Sequence, residues 1–186
     1  MQDTLSKFTK KTVALHWIVA IVFIALLIIG IYMVENEAYE LYGIHKSVGV
    51  IILLFAIYRV IWRMSNGFPK PLGSPSPSMH KLAKFVHYLL IIGTILMPIS
   101  GIIMSAMGGY GVAVFGLELV AANPDPSNPM EMIAINESIA FIAHTVHGLG
   151  GNILMLAVIL HIAGALKHHI IDKDGTLKRM LGNELK

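Results

Sequence analysis

Four long apolar runs constrain the fold of this chain more than any other feature of its sequence. A helix needs about 20 predominantly apolar residues to cross the hydrocarbon core of a bilayer, within a range of roughly 17–25. Four segments meet that requirement, at about Thr12–Val34, His45–Trp62, Lys84–Met107 and Ala140–Lys167. The sequence therefore predicts an all-α integral membrane protein, a four-helix transmembrane bundle in which residues 1–186 form a single domain.

The composition agrees with a membrane location and narrows the choice of cofactors. Hydrophobic residues make up 55% of the 186 residues and charged residues 13%, whereas a soluble domain carries about 25% charged residues. The first apolar run is too long for a signal-peptide h-region and lacks a small-residue cleavage site, so we expect no removable signal peptide. The chain has no cysteine, which excludes disulfides, cysteine-ligated iron–sulfur clusters and covalently attached c-type haem.

Two connecting stretches are predicted to lie outside the helices. Gly67–Ser78 is rich in Pro and Ser and is predicted to be a loop. The connector from Gly108 to about Ser138 contains a semi-apolar piece, Val112–Ala121, and a Pro-rich turn, Asn123–Pro129. We expect the semi-apolar piece to lie on the membrane surface as a cap over one end of the bundle.

Basic residues are concentrated on one side of the predicted bundle. Of the 14 Lys and Arg residues only Lys46 falls on the other side; the rest are Lys7, Lys10, Lys11, Arg59, Arg63, Lys70, Lys81, Lys84, Lys167, Lys173, Lys178, Arg179 and Lys186. The side of Lys46 instead holds seven of the 11 acids: Glu35, Glu37, Glu40, Glu118, Asp125, Glu131 and Glu137. Cytoplasmic loops carry an excess of Lys and Arg, so both termini are predicted to be cytoplasmic. This topology explains the net charge of +3, and no nucleic-acid partner is expected.

Histidines are the candidate functional residues. The chain has nine: His16, His45, His80, His87, His144, His147, His161, His168 and His169. Six or seven of them lie inside the apolar runs or at their ends. Ionisable side chains are costly in a bilayer and usually face the bundle interior and mark function. A single such histidine could equally be an interfacial or helix-bonding residue, but a patterned set favours a functional role.

The fourth run carries the clearest pattern. His147 and His161 are 14 residues apart, about 21 Å along a helix axis and within roughly 40° of each other around it. His168 follows seven residues later, within about 20° of His161. One helix face therefore presents an imidazole near the outer surface, one in the inner half and one at the inner end.

The other runs place histidines at matching depths. His45 opens the second run on the outer side and faces His147, whereas His16 and His87 lie near the inner ends of the first and third runs. Both inner histidines are available to His161 and His168, and spacing alone leaves them as rivals for the inner site. Two layers of opposed histidines suit two bis-imidazole haems, and two axial nitrogens saturate iron, which favours electron transfer over oxygen binding.

The glycines and arginines of the apolar runs can each be interpreted in two ways. Glycines could let a flat macrocycle approach the backbone or could simply pack helices together: Gly30, Gly49, Gly93, Gly101, Gly148, Gly150, Gly151 and Gly164. Arg59 and Arg63 could pair with haem propionates or anchor the inner surface. No Asp or Glu lies within the body of any run, which disfavours a proton pump or cation transporter because those proteins keep carboxylates there.

Several short motifs, taken in order, resemble the bacterial cytochrome b561 family of inner-membrane di-haem cytochromes. They are A-L-H-W (Ala14–Trp17), H-K-S-x-G (His45–Gly49), R-V-I-W-R (Arg59–Arg63), H-Y-L-L (His87–Leu90), F-G-L (Phe115–Leu117), the series His147, His161, His168 and His169, and I-D-K-D-G-T-L-K-R-M (Ile171–Met180). The resemblance covers nearly the whole chain and implies a multi-pass protein of the bacterial inner membrane.

The resemblance also implies a role for individual histidines. His45 and His147 would be the axial iron ligands of the outer haem b, His16 and His161 those of the inner haem b, and His87 and His168 would line a quinone site near the cytoplasmic surface. His80 and His144 would not be ligands, and His169 would face solvent or lipid headgroups.

The function implied is single-electron transfer between an outer-face redox partner and a quinone such as ubiquinone. Some members of the family oxidise superoxide at the outer face and reduce ubiquinone. A cationic field would attract that anion, but the outer loops here hold seven acids and only Lys46, which disfavours superoxide as a substrate. The alternatives are a cytochrome b membrane anchor that docks a dehydrogenase or hydrogenase through its outer connector, and a histidine-based transition-metal transporter, which the missing intramembrane carboxylates and cysteines disfavour.

Overall fold

The computed structural model describes residues 3–67, 69, 71–73 and 76–185. Its main elements are four long helices, α1 (Lys10–Glu35), α2 (Tyr42–Asn66), α3 (Pro77–Met107) and α4 (Glu137–Lys167). All four are long and apolar enough to cross a membrane, and the predicted four-helix transmembrane bundle is confirmed. Of the predicted loop and basic residues, Phe68, Lys70, Ser74, Pro75 and Lys186 lie outside the described residues.

The helices extend beyond the apolar runs that predict them. The largest difference is at α3, which begins at Pro77 rather than near Lys84, so the end of the predicted Gly67–Ser78 loop is helical. Proline suits the first turn of a helix, where its missing N–H has no intrahelical partner, and the Ser76 hydroxyl caps that turn by accepting from the Met79 N–H. Hydropathy alone misses such polar first turns because they lie outside the apolar part of the helix.

A small antiparallel hairpin joins α3 to α4, so the fold is not purely helical. Its strands are β1 (Val112–Val114) and β2 (Leu117–Val120), joined at Phe115 and Gly116, both of which have positive φ. The hairpin covers the first turns of α2, where the Ser47 hydroxyl accepts from the Phe115 N–H at 2.9 Å. The semi-apolar piece thus caps one end of the bundle as predicted, in the form of a hairpin. We call this end the hairpin end.

The opposite end, which we call the terminal end, carries both chain termini. After α4 come a π-helical segment (His168–Asp172) and a short helix, α5 (Thr176–Met180). The Trp17 indole N–H donates to the Met180 carbonyl at 2.9 Å, and the Arg179 guanidinium stacks 4.2 Å from the centre of the Phe8 ring. These contacts join the C-terminal segment to α1 and to the residues that precede it.

A central apolar layer holds the four helices together. It consists of Val19, Phe23, Leu27, Ile52, Met97 and Leu154, which include residues from every long helix. α4 packs mainly on α3, α1 packs mainly on α2, and α2 also packs on α3, so α4 has little contact with α1 or α2. Gly93 permits the close α3–α4 contact, since a Cβ at that position would overlap the side chain of Leu154.

Candidate functional site

His45 and His147 form a facing pair at the hairpin end. Their ring centroids are 6.4 Å apart, with His45 in the first turns of α2 and His147 on α4. His147 Nδ1 lies 2.9 Å from the Met97 carbonyl oxygen. A carbonyl only accepts, so Nδ1 carries the proton and donates, which leaves the Nε2 lone pair free for a metal. Such a hydrogen bond to the second ring nitrogen is typical of histidines that bind metals.

A glycine lies close to one ring of this pair, and the other ring has a buried nitrogen atom without a hydrogen-bond partner in the part of the chain that the structure describes. Gly101 lies directly beside His147, where a Cβ would come within 3.0 Å of the ring. A Cβ on Gly49, four residues after His45, would meet no atom within 4 Å, whereas Gly148 lies on the exposed surface of α4. Among the described residues His45 Nδ1 is buried and has no hydrogen-bond partner. A buried polar atom without a partner costs about 1–3 kcal/mol, which fits an imidazole whose partner is not part of the protein.

Three histidines meet at the terminal end. The ring centroid of His161 on α4 lies 6.2 Å from that of His16 on α1 and 5.2 Å from that of His87 on α3. A metal–imidazole bond is about 2 Å long and the bonded nitrogen lies about 1 Å from the ring centroid, so imidazoles on opposite sides of one metal atom have centroids about 6 Å apart. The His16–His161 and His45–His147 distances match this value, whereas the His87–His161 distance is shorter.

Helix packing also distinguishes His16 from His87 as the partner of His161. His87 and His161 belong to α3 and α4, which are in close contact, whereas α1 and α4 barely touch. A planar group has space between helices that do not pack together. The His16–His161 and His45–His147 pairs each connect α4 with a helix that it barely touches, α1 and α2 respectively.

The two arginines of α2 have different partners. Arg63 Nη1 forms an ion pair with Asp3 Oδ2 at 3.2 Å and donates to the Gly67 carbonyl. Arg59 Nη2 lies 3.4 Å from His16 Nδ1, and within the described part of the chain no carboxylate lies within 4 Å of it. Arg63 therefore holds the N-terminal segment, and Arg59 places an uncompensated positive charge beside the histidines.

The sequence matches the prokaryotic cytochrome b561 family over residues 7–183. This chain belongs to that family. Cytochrome b561 homolog 2 of Escherichia coli K12 is 33% identical over 186 residues, covering 97% of this chain and 94% of the relative. Cytochrome b561 homolog 1 of the same strain is 26% identical over 182 residues, covering 95% and 98%. The probable superoxide oxidase CybB of Yersinia pestis is 28% identical over 178 residues, covering 94% and 96%.

Family membership makes this cytochrome a bacterial membrane protein that binds haem b and transfers electrons. The histidine pairs fit that group, since they combine metal-compatible spacing with a fixed tautomer at His147. The glycines divide between the two interpretations. Gly93 and Gly150 pack against neighbouring side chains, whereas Gly49, Gly148 and Gly164 border open space.

His168 lies at the terminal end, directly after the last residue of α4. It lines a cavity of about 340 Å³ together with Leu72, Gly73, Ser76, Met79, Lys167, Asp172 and Asp174. His168 Nδ1 lies 2.6 Å from Asp174 Oδ2. His87, which the resemblance places in the same quinone site, is beside His161 and does not line this cavity.

Sequence reasoning missed the residues that hold the histidines in place. Asp174 was part of a matching motif but received no role, and nothing in the sequence marks the Met97 carbonyl or Ser100, whose hydroxyl lies 3.1 Å from His147 Nδ1. The three histidines that were assigned neither to iron nor to the quinone are not members of the facing pairs. His144 and His169 are exposed, and His80 lies in the first turn of α3.

Proposed function

We propose that this protein is a di-haem b-type cytochrome that carries single electrons between a redox partner at the hairpin end and a quinone at the terminal end. One haem would lie between His45 and His147 and the other between His16 and His161. The observation that carries the proposal is the pair of facing imidazoles at each end of the bundle, with centroids 6.4 Å and 6.2 Å apart. The apolar layer between them keeps water out of the middle of the bundle.

The residues of the chain set the conditions for that chemistry. The haem iron would supply one-electron transfer, while the protein sets ligation, spacing and dielectric. The Met97 carbonyl keeps His147 in the tautomer that presents Nε2, and the Arg59 guanidinium beside His16 favours the less positive, reduced state of a nearby iron.

The cavity beside His168 supports a quinone, and ubiquinone in particular, as the partner at the terminal end. Its volume of about 340 Å³ lies within the usual range of small-molecule sites, roughly 300–1,000 Å³. It also combines apolar side chains, Leu72 and Met79, with the polar groups of His168 and Asp174, as quinone rings with two carbonyl oxygens require.

The basic residues support an orientation with both termini in the cytoplasm of a bacterium and the hairpin end outside the inner membrane. The natural lack of cysteine makes this directly testable with single-cysteine variants and a membrane-impermeant maleimide. In intact spheroplasts we expect labelling of Ser127→Cys, near the hairpin, and labelling of Asn183→Cys only after permeabilisation. The reverse pattern would overturn the orientation.

The number of haems tests the proposal as a whole. A dithionite-reduced minus oxidised spectrum of the detergent-purified protein, with a pyridine-haemochrome assay, should show a b-type cytochrome with two haems per chain. One haem per chain would contradict the two-layer arrangement. A stoichiometric soluble partner that copurifies without crosslinking would favour the membrane-anchor alternative.

Superoxide is a second candidate donor at the hairpin end, supported by one local feature. Within the described residues the Lys46 ammonium contacts neutral acceptors alone, the Ser105 hydroxyl at 3.2 Å and the Tyr110 and Gly111 carbonyls at 3.4 and 3.3 Å. Its positive charge therefore persists among the surrounding acids. Haem reduction by a superoxide source should be abolished by superoxide dismutase, and reduction that is unaffected by the dismutase would exclude this donor.

A further inference from the structure

The chain reverses direction in an unusual way where α4 ends. Residues His168–Asp172 form a π-helix rather than a continuation of the α-helix. π-Helical segments are rare in proteins, and those that occur are often at functional sites. Lys173 (φ 53°) and Gly175 (φ 81°) then adopt left-handed conformations. These turns bring Asp174 back over the start of the segment, where its N–H donates to the His168 carbonyl at 3.3 Å.

The reversal places the Asp174 carboxylate within hydrogen-bond distance of Nδ1 of the His168 ring. The Nδ1–Oδ2 distance of 2.6 Å is short for a hydrogen bond between nitrogen and oxygen, as expected when one partner is charged. The other carboxylate oxygen of Asp174 accepts from the Thr176 N–H at 2.9 Å. The Asp174 side chain is only 10% exposed, whereas that of His168 is 30% exposed and lines the cavity. Asp174 is thus the inner, fixed member of the pair.

Charges around the pair keep Asp174 ionised. Burial raises the pKa of its carboxyl, but hydrogen bonds from Thr176 and His168 outweigh this effect and hold the pKa below its usual value of 3.8. The buried Arg179 is attracted electrostatically by Asp174 and by Asp3. The second nearby carboxylate, Asp172, lies 3.3 Å from His168 Nδ1 but binds the Lys167 ammonium with both oxygens, at 2.7 and 2.8 Å.

We propose that His168 and Asp174 form an acid–base pair that passes protons between water at the terminal end and the quinone in the adjoining cavity, with Asp174 as the positioning residue. This inference rests on the proposed function and adds the path of the protons. Because Asp174 accepts the Nδ1 hydrogen bond, His168 presents Nε2 to the substrate. The carboxylate also stabilises the imidazolium that forms when Nε2 is protonated.

The reaction balances with the electrons that the cytochrome supplies. Reduction of a quinone to a quinol takes two protons and two electrons, and bound haem would supply the electrons one at a time. For each proton the Nε2–H bond of His168 breaks as an O–H bond forms on a quinone oxygen. The neutral imidazole then regains a proton from water at the mouth of the cavity, while Nδ1–H stays bonded to Asp174. In the oxidising direction the same steps run in reverse.

The same side chains could in principle hold a divalent cation, since His168, Asp172 and Asp174 converge. The surrounding charges favour a proton. Lys167 neutralises Asp172, and Arg179 adds a positive charge near Asp174. On the neighbouring helix α3, His87 interacts electrostatically with His168 but does not line the cavity. A divalent cation would have to displace Lys167 from Asp172 or lie close to the positive charge of Arg179.

The test follows haem reoxidation by quinone in stopped-flow measurements on the purified, haem-loaded protein. The protein is first reduced and then mixed with a short-chain ubiquinone analogue, in H₂O and in D₂O. For Asp174→Asn we expect the maximum rate to fall about 10- to 100-fold, the half-saturating quinone concentration to change little, and the solvent isotope effect to grow. Asp174→Glu should recover much of the rate. The matched control is Glu184→Gln, another carboxylate at the terminal end, which ion-pairs with Lys7 away from the cavity.

Each outcome decides one question. Failure of the wild type to be reoxidised by quinone would overturn the proposed function itself. Reoxidation of Asp174→Asn as fast as Glu184→Gln, with both haems bound and an unchanged isotope effect, would overturn the proton path alone. His168→Ala should be slow and accelerated by added imidazole, which restores a proton donor. A stoichiometric zinc or manganese ion that Asp174→Asn loses without any change in rate would show a metal site instead.

Discussion

The imidazole rings of His45 and His147 face each other across the hairpin end with centroids 6.4 Å apart. They reach this position from α2 and α4, which have little contact with each other. The Met97 carbonyl accepts from His147 Nδ1, whereas within the described part of the chain Nδ1 of His45 has no hydrogen-bond partner. The two members of the pair therefore differ in how firmly they are held.

Replacing either ring should remove one haem. We expect His45→Ala or His147→Ala to lower the haem content from two per chain to one, because iron would lose an axial ligand. The measurement is a pyridine-haemochrome assay on detergent-purified protein. His144→Ala is the matched control, since His144 is exposed and one helical turn before His147. Loss of a haem in His144→Ala, or two haems in both other variants, would contradict the assignment.

The terminal end offers a direct comparison between two histidines. His16 and His87 lie 6.2 Å and 5.2 Å from His161, centroid to centroid, and only the longer distance matches two imidazoles on one iron. We therefore expect His16→Ala to retain one haem per chain and His87→Ala to retain two. Reduced minus oxidised spectra and the haemochrome assay distinguish the variants, and the opposite result would transfer the axial role to His87.

Arg59 should raise the reduction potential of the haem beside it. Removing its charge by Arg59→Gln destabilises the reduced, less positive iron, and a tenfold change in the reduction equilibrium corresponds to about 59 mV for one electron. We expect a shift of about that size to lower potential for one haem in a spectroelectrochemical titration. Arg63→Gln, one turn away, is the control because Asp3 already compensates its charge. Equal shifts in both variants would show a general surface effect instead.

The N-terminal segment should stabilise the fold in a pH-dependent way. Burial raises the pKa of Asp3, but hydrogen bonds from the Thr9 N–H and the Thr9 and Thr12 hydroxyls, with the charge of Arg63, bring it below 3.8. A carboxyl with a lowered folded-state pKa contributes stability above its unfolded value, and the contribution is lost as the pH falls through the folded value. Asp3→Asn should therefore cost about 1–3 kcal/mol at neutral pH and progressively less below pH 3.8.

Thermal unfolding followed by circular dichroism in detergent measures this difference. The control is Glu184→Gln, which removes one partner of an exposed ion pair with Lys7 and should change stability by less than about 1 kcal/mol. A deficit of Asp3→Asn that stays constant from pH 7 to pH 3 would show that ionisation of Asp3 is not its source.

Much of the architecture follows from local sequence patterns. Helical spans are set by the length of apolar runs, since a backbone in lipid must satisfy its own hydrogen bonds. The depth of each histidine follows in turn from its position in its run, which is why His45 could be matched with His147 before any coordinates. Polar helix ends were missed, as at Pro77, because hydropathy does not report capping. The hairpin was missed because the apolar character of Val112–Ala121 does not reveal strand pairing.

Local sequence patterns were enough to predict the membrane bundle, the depth of each histidine and the family. The partners of residues that lie at the same depth depend instead on how the helices pack. The tertiary structure brought His16 to a metal-compatible distance from His161 while His87 came closer, and it paired Arg63 with Asp3 but left Arg59 beside His16. It also brought Asp174 onto His168. These choices depend on which helices pack together and on a non-α turn, and periodicity along one helix carries no information about either.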